Sequence, residues 1–356
     1  AGTSVSSKIV LVSGESGIGK SYMVYKAIQT ICALETHGAN SRIKSRNKIL
    51  AAKGVCEEKE QKIPFGVFRT ILPHIVGEGD QQNSKRTITS ESMSSASAQL
   101  FTMGRFRSLC EAHGRSEGFA TVVGLKIFDL EHDDISLATK DQIKSPKKSD
   151  VVDFITEVIL RSTVQNKLVL IAIDDVQWMD SMSWKIVQAL YEGAHNLLMI
   201  CVSRPVQNYR LDIDLDFWNE LRAEKAERNS PRFQEMHLSA LERSDMPKLV
   251  SKVLGVRAKD IETEVWDDIF EQCGGMPFFV VELVGELKRR NFFGELPNGK
   301  IGWKRDEHGN RLVFDRSSFS SLNGLLLGRL DALGPDARNV LQLCAVLGFE
   351  FQLSDL

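Results

Sequence analysis

The sequence predicts an α/β fold built on a parallel sheet and followed by a helical part. Three observations carry that expectation. Leu168-Val-Leu-Ile-Ala-Ile173 is an unbroken apolar run, the pattern of a central strand covered on both faces. Two further β-branched runs, Lys8-Ile-Val-Leu-Val-Ser13 and Asn196-Leu-Leu-Met-Ile-Cys-Val202, are separated from it by segments with helical periodicity. Strand–helix alternation of this kind implies parallel pairing. After about residue 240 the apolar spacing turns helical.

The elements follow in order. The first strand ends at Gly14, and a helix begins at about Lys20, with Met23, Val24, Ala27, Ile28, Ile31 and Cys32 forming one apolar stripe. Residues 36–47 are polar and basic and read as an exposed loop. Lys48 to Cys56 reads as the next strand. Pro64 precedes an amphipathic segment through Phe65, Phe68, Ile71, Leu72 and Ile75. Residues 80–98 are dominated by Ser, Gln, Thr and small side chains, which bury too little surface to offset their ordering entropy, so a disordered insert is expected there. Phe101, Phe106, Phe119 and Phe128 give residues 100–131 a partly ordered character. A third polar stretch, 132–149, ends in the basic Lys144-Ser-Pro-Lys-Lys148. A helix through Val151, Phe154, Val158 and Ile159 leads into the central strand. Beyond residue 240, Gly274-Gly-Met-Pro277 interrupts the helices, hairpin turns are expected at Pro297-Asn-Gly299 and His308-Gly-Asn310, and two amphipathic helices follow, through Leu325 and Leu333 and through Val340 and Leu347.

At 356 residues the chain has room for two or three domains. Its 42% hydrophobic content supports a sizeable core, and Lys+Arg 45 against Asp+Glu 47 leaves a formal charge of -2. That balance lacks the basic bias of a chain living on nucleic acid or an anionic membrane. No apolar run approaches the ~20 residues of a membrane span, and no signal-peptide pattern opens the chain. The six cysteines are scattered without a CxxC pair, which favours buried thiols in a reducing compartment over a disulfide framework or a zinc site.

The strongest motif is Gly14-Glu-Ser-Gly-Ile-Gly-Lys-Ser21, which fits the P-loop pattern GxxxxGK(S/T) without deviation. Its glycines permit backbone conformations that a Cβ blocks, so that amides turn inward around phosphate oxygens, and the N-terminus of the following helix adds positive potential. Gly14, Glu15, Ser16, Gly17, Ile18, Gly19, Lys20, Ser21 and Tyr22 are therefore the expected nucleotide-binding residues. Lys20 reaches the β- and γ-phosphates, and Ser21 ligates Mg²⁺. The second half of the site is the strand that ends in Asp174-Asp175, the Walker B pattern. Asp174 is the expected Mg²⁺ ligand, since Mg²⁺ takes hard oxygen donors, and Asp175 orients or deprotonates the attacking water. ATP and Mg²⁺ are the implied cofactors.

Further motifs carry a resemblance. Asp174-Asp-Val-Gln-Trp-Met-Asp180 resembles the extended Walker B, DDxxWxD, of the STAND class of signalling ATPases, and of the AAA-like modules beside class III adenylyl and guanylyl cyclases, kinases and MalT-like regulators. Leu197 to Pro205 is similar to that family's strand ending in a sensor, with Arg204 at the sensor position. Gly274-Gly-Met-Pro-Phe-Phe279 is similar to its GxP motif, in which Pro277 packs near the adenine. Pro64-Phe-Gly-Val-Phe-Arg69 fits the element after the second strand, and residues from Leu326 to Phe351 resemble its closing winged helix. The family's GRE-type base-binding motif has no counterpart before Ile9, and Gly-Met stands where Gly-Asn is common.

The resemblance implies a P-loop NTPase parallel sheet of AAA/STAND type over 1–235, carrying inserts at 36–47, 80–98 and 132–149. A helical lid is expected over 236–295 and an incomplete winged-helix-like domain over 296–356. It implies an ATP-binding, slowly hydrolysing signalling switch in the cytoplasm, with Lys20, Asp175 and Arg204 as its catalytic residues. The switch acts on output domains in cis beyond the fragment, such as a cyclase or kinase, and is compatible with oligomerisation. The alternative is an ATP-dependent scaffold or transcriptional regulator with negligible hydrolysis. Membrane and nucleic-acid partners are not expected, because the last helix offers only Arg338, Asn339 and Gln342 on its polar side. Read without the family, Pro277 is a helix-start proline and Trp178 and Trp184 are packing residues, while the place of Arg204 right after an apolar strand favours a sensor over a surface arginine. Asp180 reads as a helix cap.

Overall fold

The computed structural model describes residues 7–37, 49–77, 101–130, 146–165, 168–205, 215–228, 230–305 and 335–347. The chain divides into two compact units. One comprises 1–15 and 20–238; the other comprises 16–19 and 239–356.

The first unit is built on a five-stranded parallel sheet in the order β2-β3-β4-β1-β5. The strands are β1 (Lys8–Gly14), β2 (Ile49–Val55), β3 (Leu168–Asp174), β4 (Leu197–Ser203) and β5 (Phe233–Leu238). Alternation along each strand divides the core in two. Val12, Leu170, Ala172 and Val202 face Val24 and Ile28 of helix α1 (Lys20–His37). Ile9, Leu11, Val169, Ile171 and Ile173 join the larger cluster on the opposite face. That face is covered by α2 (Gly66–Gly77), α3 (Met103–Ala112), α4 (Glu117–Lys126), α5 (Lys148–Gln165) and α6 (Ser181–Gly193). The phenylalanines of 100–131 belong to this core: the ring of Phe106 meets those of Phe101, Phe128 and Phe154 at 5.8, 5.2 and 5.9 Å.

Two element boundaries differ from the sequence reading, and two elements are new. Helix α1 continues through Thr36 and His37, which were expected in a loop. Lys148 and Ser149 open α5 instead of closing an insert; Asp150 in that first turn favours a helix start through its interaction with the helix dipole. Strand β5 and helix α7 (Leu215–Arg228) were not anticipated at all. Strand β5 pairs with β1 from Ile9↔Phe233 to Gly14↔Leu238, so it runs across position 235. The rest of the polar stretches (38–47, 80–98 and 132–145) lies outside the described residues.

The second unit packs α8 (Met246–Leu254), α9 (Thr263–Cys273) and α10 (Pro277–Arg289) around Val250, Ile269, Val284 and Leu287. Gly275 lies between α9 and α10 with φ +74, and a Cβ there would stand 2.2 Å from the carbonyl oxygen of Leu241. The Leu241 N–H also donates to the Gly275 oxygen at 2.9 Å. The two backbones approach so closely that only glycine fits. Pro277 follows at the first turn of α10, where a missing N–H costs nothing. Strands β6 (Phe293–Glu295) and β7 (Ile301–Trp303) form the hairpin expected around Pro297-Asn-Gly299, closed by Leu296 N–H donating to Lys300 O at 2.8 Å. Helix α11 (Pro335–Leu347) matches the expected helix through Val340 and Leu347. The turn at 308–310, the helix through Leu325 and Leu333, and residues 348–356 lie outside the described residues. Residues 296–305, with the turn and strand β7 of the hairpin, and α11 are thus the described parts of the segment read as a winged helix, while β6 falls within 236–295.

None of the six cysteines, all among the described residues, forms a disulfide; Cys56, Cys110, Cys201 and Cys273 are buried, Cys32 and Cys344 half-buried. Burial pushes the thiols of Cys110, Cys201 and Cys273 up to about 12 and that of Cys56 well above its ordinary value. The thiolate is the reactive form, so raising these values suppresses reactivity at pH 8. An aromatic disulfide reagent at pH 8 is expected to modify Cys32 and Cys344 in the native protein and the other four only after denaturation. Rapid native reaction of more than two thiols would contradict this burial.

Candidate functional site

The turn from β1 to α1 uses positive φ at Gly17 (+81) and Gly19 (+93). A Cβ on Gly19 would meet nothing within 4 Å, so glycine is required there by conformation and not by crowding. At Gly17, a Cβ would lie 3.1 Å from the Cβ of Phe278, whose N–H donates to the Gly17 oxygen at 3.2 Å. Glu15 and Ser16 are exposed, Ile18 is buried, and Ser21 and Tyr22 at the start of α1 are exposed.

Lys20 is 7% exposed, and its ammonium donates to the carbonyl oxygens of Gly14 (2.8 Å) and Glu15 (2.9 Å). Burial lowers its pKa. The charge of Asp175 opposes that shift, Arg204 adds to it, and Asp174 and Glu15 oppose it. The predicted residues Lys20, Asp174, Asp175 and Arg204 therefore lie within one electrostatic neighbourhood, at the carboxyl ends of β1, β3 and β4.

Asp174 ends β3 and is 7% exposed. Its Oδ1 accepts from the Asp175 N–H at 3.2 Å, and its Oδ2 lies 3.6 Å from the Lys53 ammonium. Strand register produces this ion pair: Val55 stands beside Asp174 and Lys53 beside Ala172. Asp175 adopts the left-handed conformation, with φ 54 and ψ 45. Its Oδ1 accepts from Gln177 Nε2 at 2.8 Å, while Gln177 Oε1 accepts from Arg204 N–H at 3.3 Å and Ser203 Oγ–H at 3.4 Å. Lys53 and Gln177 are the site residues that sequence reasoning missed.

The donor set suits a nucleotide with Mg²⁺. A buried ammonium, an exposed hydroxyl on Ser21, and the hard carboxylate of Asp174 are the groups such a complex takes. Among the described residues no group of three or more His, Cys, Asp or Glu side chains gathers to hold a metal by itself. A magnesium ion held by one hydroxyl, one carboxylate, phosphate oxygens and water needs no such group. Pro277 and the segment 16–19 belong to the second unit, the other predicted residues to the first.

Asp180 is a cap, as read, and more besides. Its carboxylate accepts from Met182 N–H (2.9 Å), Ser183 N–H (3.0 Å) and Ser183 Oγ–H (2.6 Å) at the start of α6. It also accepts from Phe65 N–H (3.1 Å) and Gly66 N–H (3.2 Å), so it ties the turn before α2 to the segment after β3. Trp184 is buried and packs edge-on against Trp218 at 5.4 Å, a core residue and not a base platform.

The family comparison supports a P-loop ATPase module. The AAA ATPase domain family matches residues 2–200, and a domain of unknown function (DUF8739) matches residues 242–293. No curated protein matches the chain. Among solved structures, the Walker-type ATPase PABY2304 of Pyrococcus abyssi is similar with a TM-score of 0.41 and 12% identity, covering 98% of this chain and 81% of that one. No described helix is long and apolar enough to cross a membrane.

Proposed function

The chain belongs to the AAA ATPase domain family, a P-loop ATPase of α/β fold, and on that premise we propose that it is an ATP-driven signalling switch of the STAND class. One observation carries the hydrolytic part of the reading: Asp175 directly follows Asp174 at the end of β3, and its carboxylate is joined through the Gln177 amide to the Arg204 N–H at the end of β4. Open parallel sheets bind ligands at the carboxyl ends of their strands, where these four residues stand.

In this reading Lys20 exchanges its carbonyl partners for β- and γ-phosphate oxygens. Ser21 and Asp174 would hold Mg²⁺, which would supply neutralisation of phosphate charge. Lys53 balances the Asp174 carboxylate from β2. Asp175 orients the attacking water and accepts its proton, and Arg204 contacts the γ-phosphate. Contacts made with ATP and lost with ADP give the two nucleotides different affinities for two states, which is what a switch requires. The roles of Pro277 toward adenine, of 236–295 as a lid and of 296–356 as a winged-helix-like domain rest on the family resemblance. The same is true of output domains in cis and of the cytoplasmic setting.

Single-turnover phosphate release tests the reading. Asp175→Asn is expected to slow release at least about tenfold at retained ATP affinity, since an amide cannot take the water's proton. Tight ATP binding with equally slow release from both proteins would refute hydrolysis and leave the scaffold or transcriptional-regulator reading in its place.

A further inference from the structure

Gln177 is 2% exposed, in the 3-10 turn Val176–Trp178 after β3. Its amide orientation is fixed by its partners. The Asp175 carboxylate only accepts and the Arg204 N–H only donates, so Nε2 must face Asp175 and Oε1 must face Arg204. A turned amide would set acceptor against acceptor and donor against donor. The pairing of β3 with β4 runs from Val169↔Leu197 to Ile173↔Cys201. Gln177 therefore bridges the segments that follow β3 and β4, just beyond their last paired residues. A left-handed backbone at a non-glycine residue costs about 1–3 kcal/mol and persists only where the surroundings hold it. At Asp175 the Asp174 carboxylate accepts the backbone N–H at 3.2 Å and the Trp178 N–H donates to the backbone oxygen at 2.9 Å, while Gln177 holds the Asp175 carboxylate.

We propose that Gln177 is a positioning residue for ATP hydrolysis, which aims the Asp175 carboxylate and couples it to the end of β4 that carries Arg204. The bond to Arg204 is to its backbone N–H, so a shift of that backbone moves the amide, and the amide moves the carboxylate. This inference rests on the reading of Asp175 as the residue that orients water, and the experiment separates the two.

Gln177→Met keeps the length of the side chain and removes both polar ends. Gln177→Glu keeps the acceptor for Arg204 N–H and replaces the donor with an oxygen facing Asp175. Both are made in the full chain, alone and on Asp175→Asn. They are followed by thermal unfolding, ATP affinity and single-turnover phosphate release at pH 8. Each single variant is expected to slow release about 10-fold to 100-fold, the scale of a misplaced catalytic group, with ATP affinity within about threefold of wild type. Neither is expected to slow release further on Asp175→Asn, because residues acting as one unit are not additive. Wild-type release from either folded variant while Asp175→Asn is slow would overturn the role of Gln177 alone, as would full additivity on Asp175→Asn. Wild-type release from Asp175→Asn would overturn the hydrolytic role of Asp175 and this inference with it. Should Gln177→Met fail to fold, Gln177→Glu carries the test.

Discussion

Asp180→Ala is expected to destabilise the first unit by about 3–5 kcal/mol, from a lost helix cap and several buried donors left without their acceptor. Asp180 is 6% exposed and accepts five hydrogen bonds, four from backbone N–H groups. Loss of the cap on α6 accounts for about 1 kcal/mol. The N–H groups of Phe65 and Gly66 matter more. They belong to a turn in which Phe65 is fully buried with φ 67, a conformation that a bulky residue keeps only under constraint. Each buried donor left without an acceptor costs about 1–3 kcal/mol. Asp180→Asn should fall between wild type and Ala, because one oxygen survives while the amide nitrogen confronts a donor. Urea unfolding followed by tryptophan fluorescence measures this, since Trp184 packs in the same core. A loss below about 1 kcal/mol for the alanine variant would show that solvent satisfies these donors and that no clamp exists.

The same residue marks how far the sequence could be read. Its role as a cap was legible because the cap and its N–H partners are three residues apart or fewer. Its hold on Phe65 and Gly66 was not, because those residues lie 115 and 114 positions away. Strands β1, β3 and β4 announced themselves through apolar runs, since a strand buried on both faces must be apolar throughout. Strand β5 did not. Only Phe233 is buried, and Gln234, Glu235, Met236 and His237 are exposed, so this edge strand is held by its ladder to β1 and not by an apolar pattern. Even the Arg222–Glu235 ion pair at 2.7 Å reads from the sequence as two ordinary surface charges. The candidate site divides the same way. Residues whose chemistry is local to a motif, Lys20 and Asp174 among them, were found by spacing. Lys53 gained its meaning only from the register that sets β2 beside β3, and Gln177 from the neighbouring end of β4.

Lys20→Ala is expected to weaken ATP binding on the order of 100-fold, because truncating one member of a desolvated charge contact costs about 2–5 kcal/mol. The ammonium is already buried, with two carbonyl oxygens as its hydrogen-bond acceptors at 2.8 and 2.9 Å. Burial disfavours its charge, and Arg204 disfavours it further, while three carboxylates oppose both effects. A phosphate chain offers this cation a stronger partner than a neutral carbonyl, and the fold itself already desolvates the ammonium that would meet it. Lys20→Arg should not rescue affinity. The guanidinium is a wide planar fork in place of a compact point charge, and the ammonium occupies a pocket where the residue is 7% exposed. Stability should change little for Lys20→Ala by comparison with Asp180→Ala, since the carbonyls of Gly14 and Glu15 lose a donor and no charge is left unpaired in return. Calorimetric titration with ATP at fixed ionic strength and excess Mg²⁺ decides the matter. Affinity within about threefold of wild type would mean that the loop amides alone hold the phosphates, and that Lys20 serves the turn and not the nucleotide.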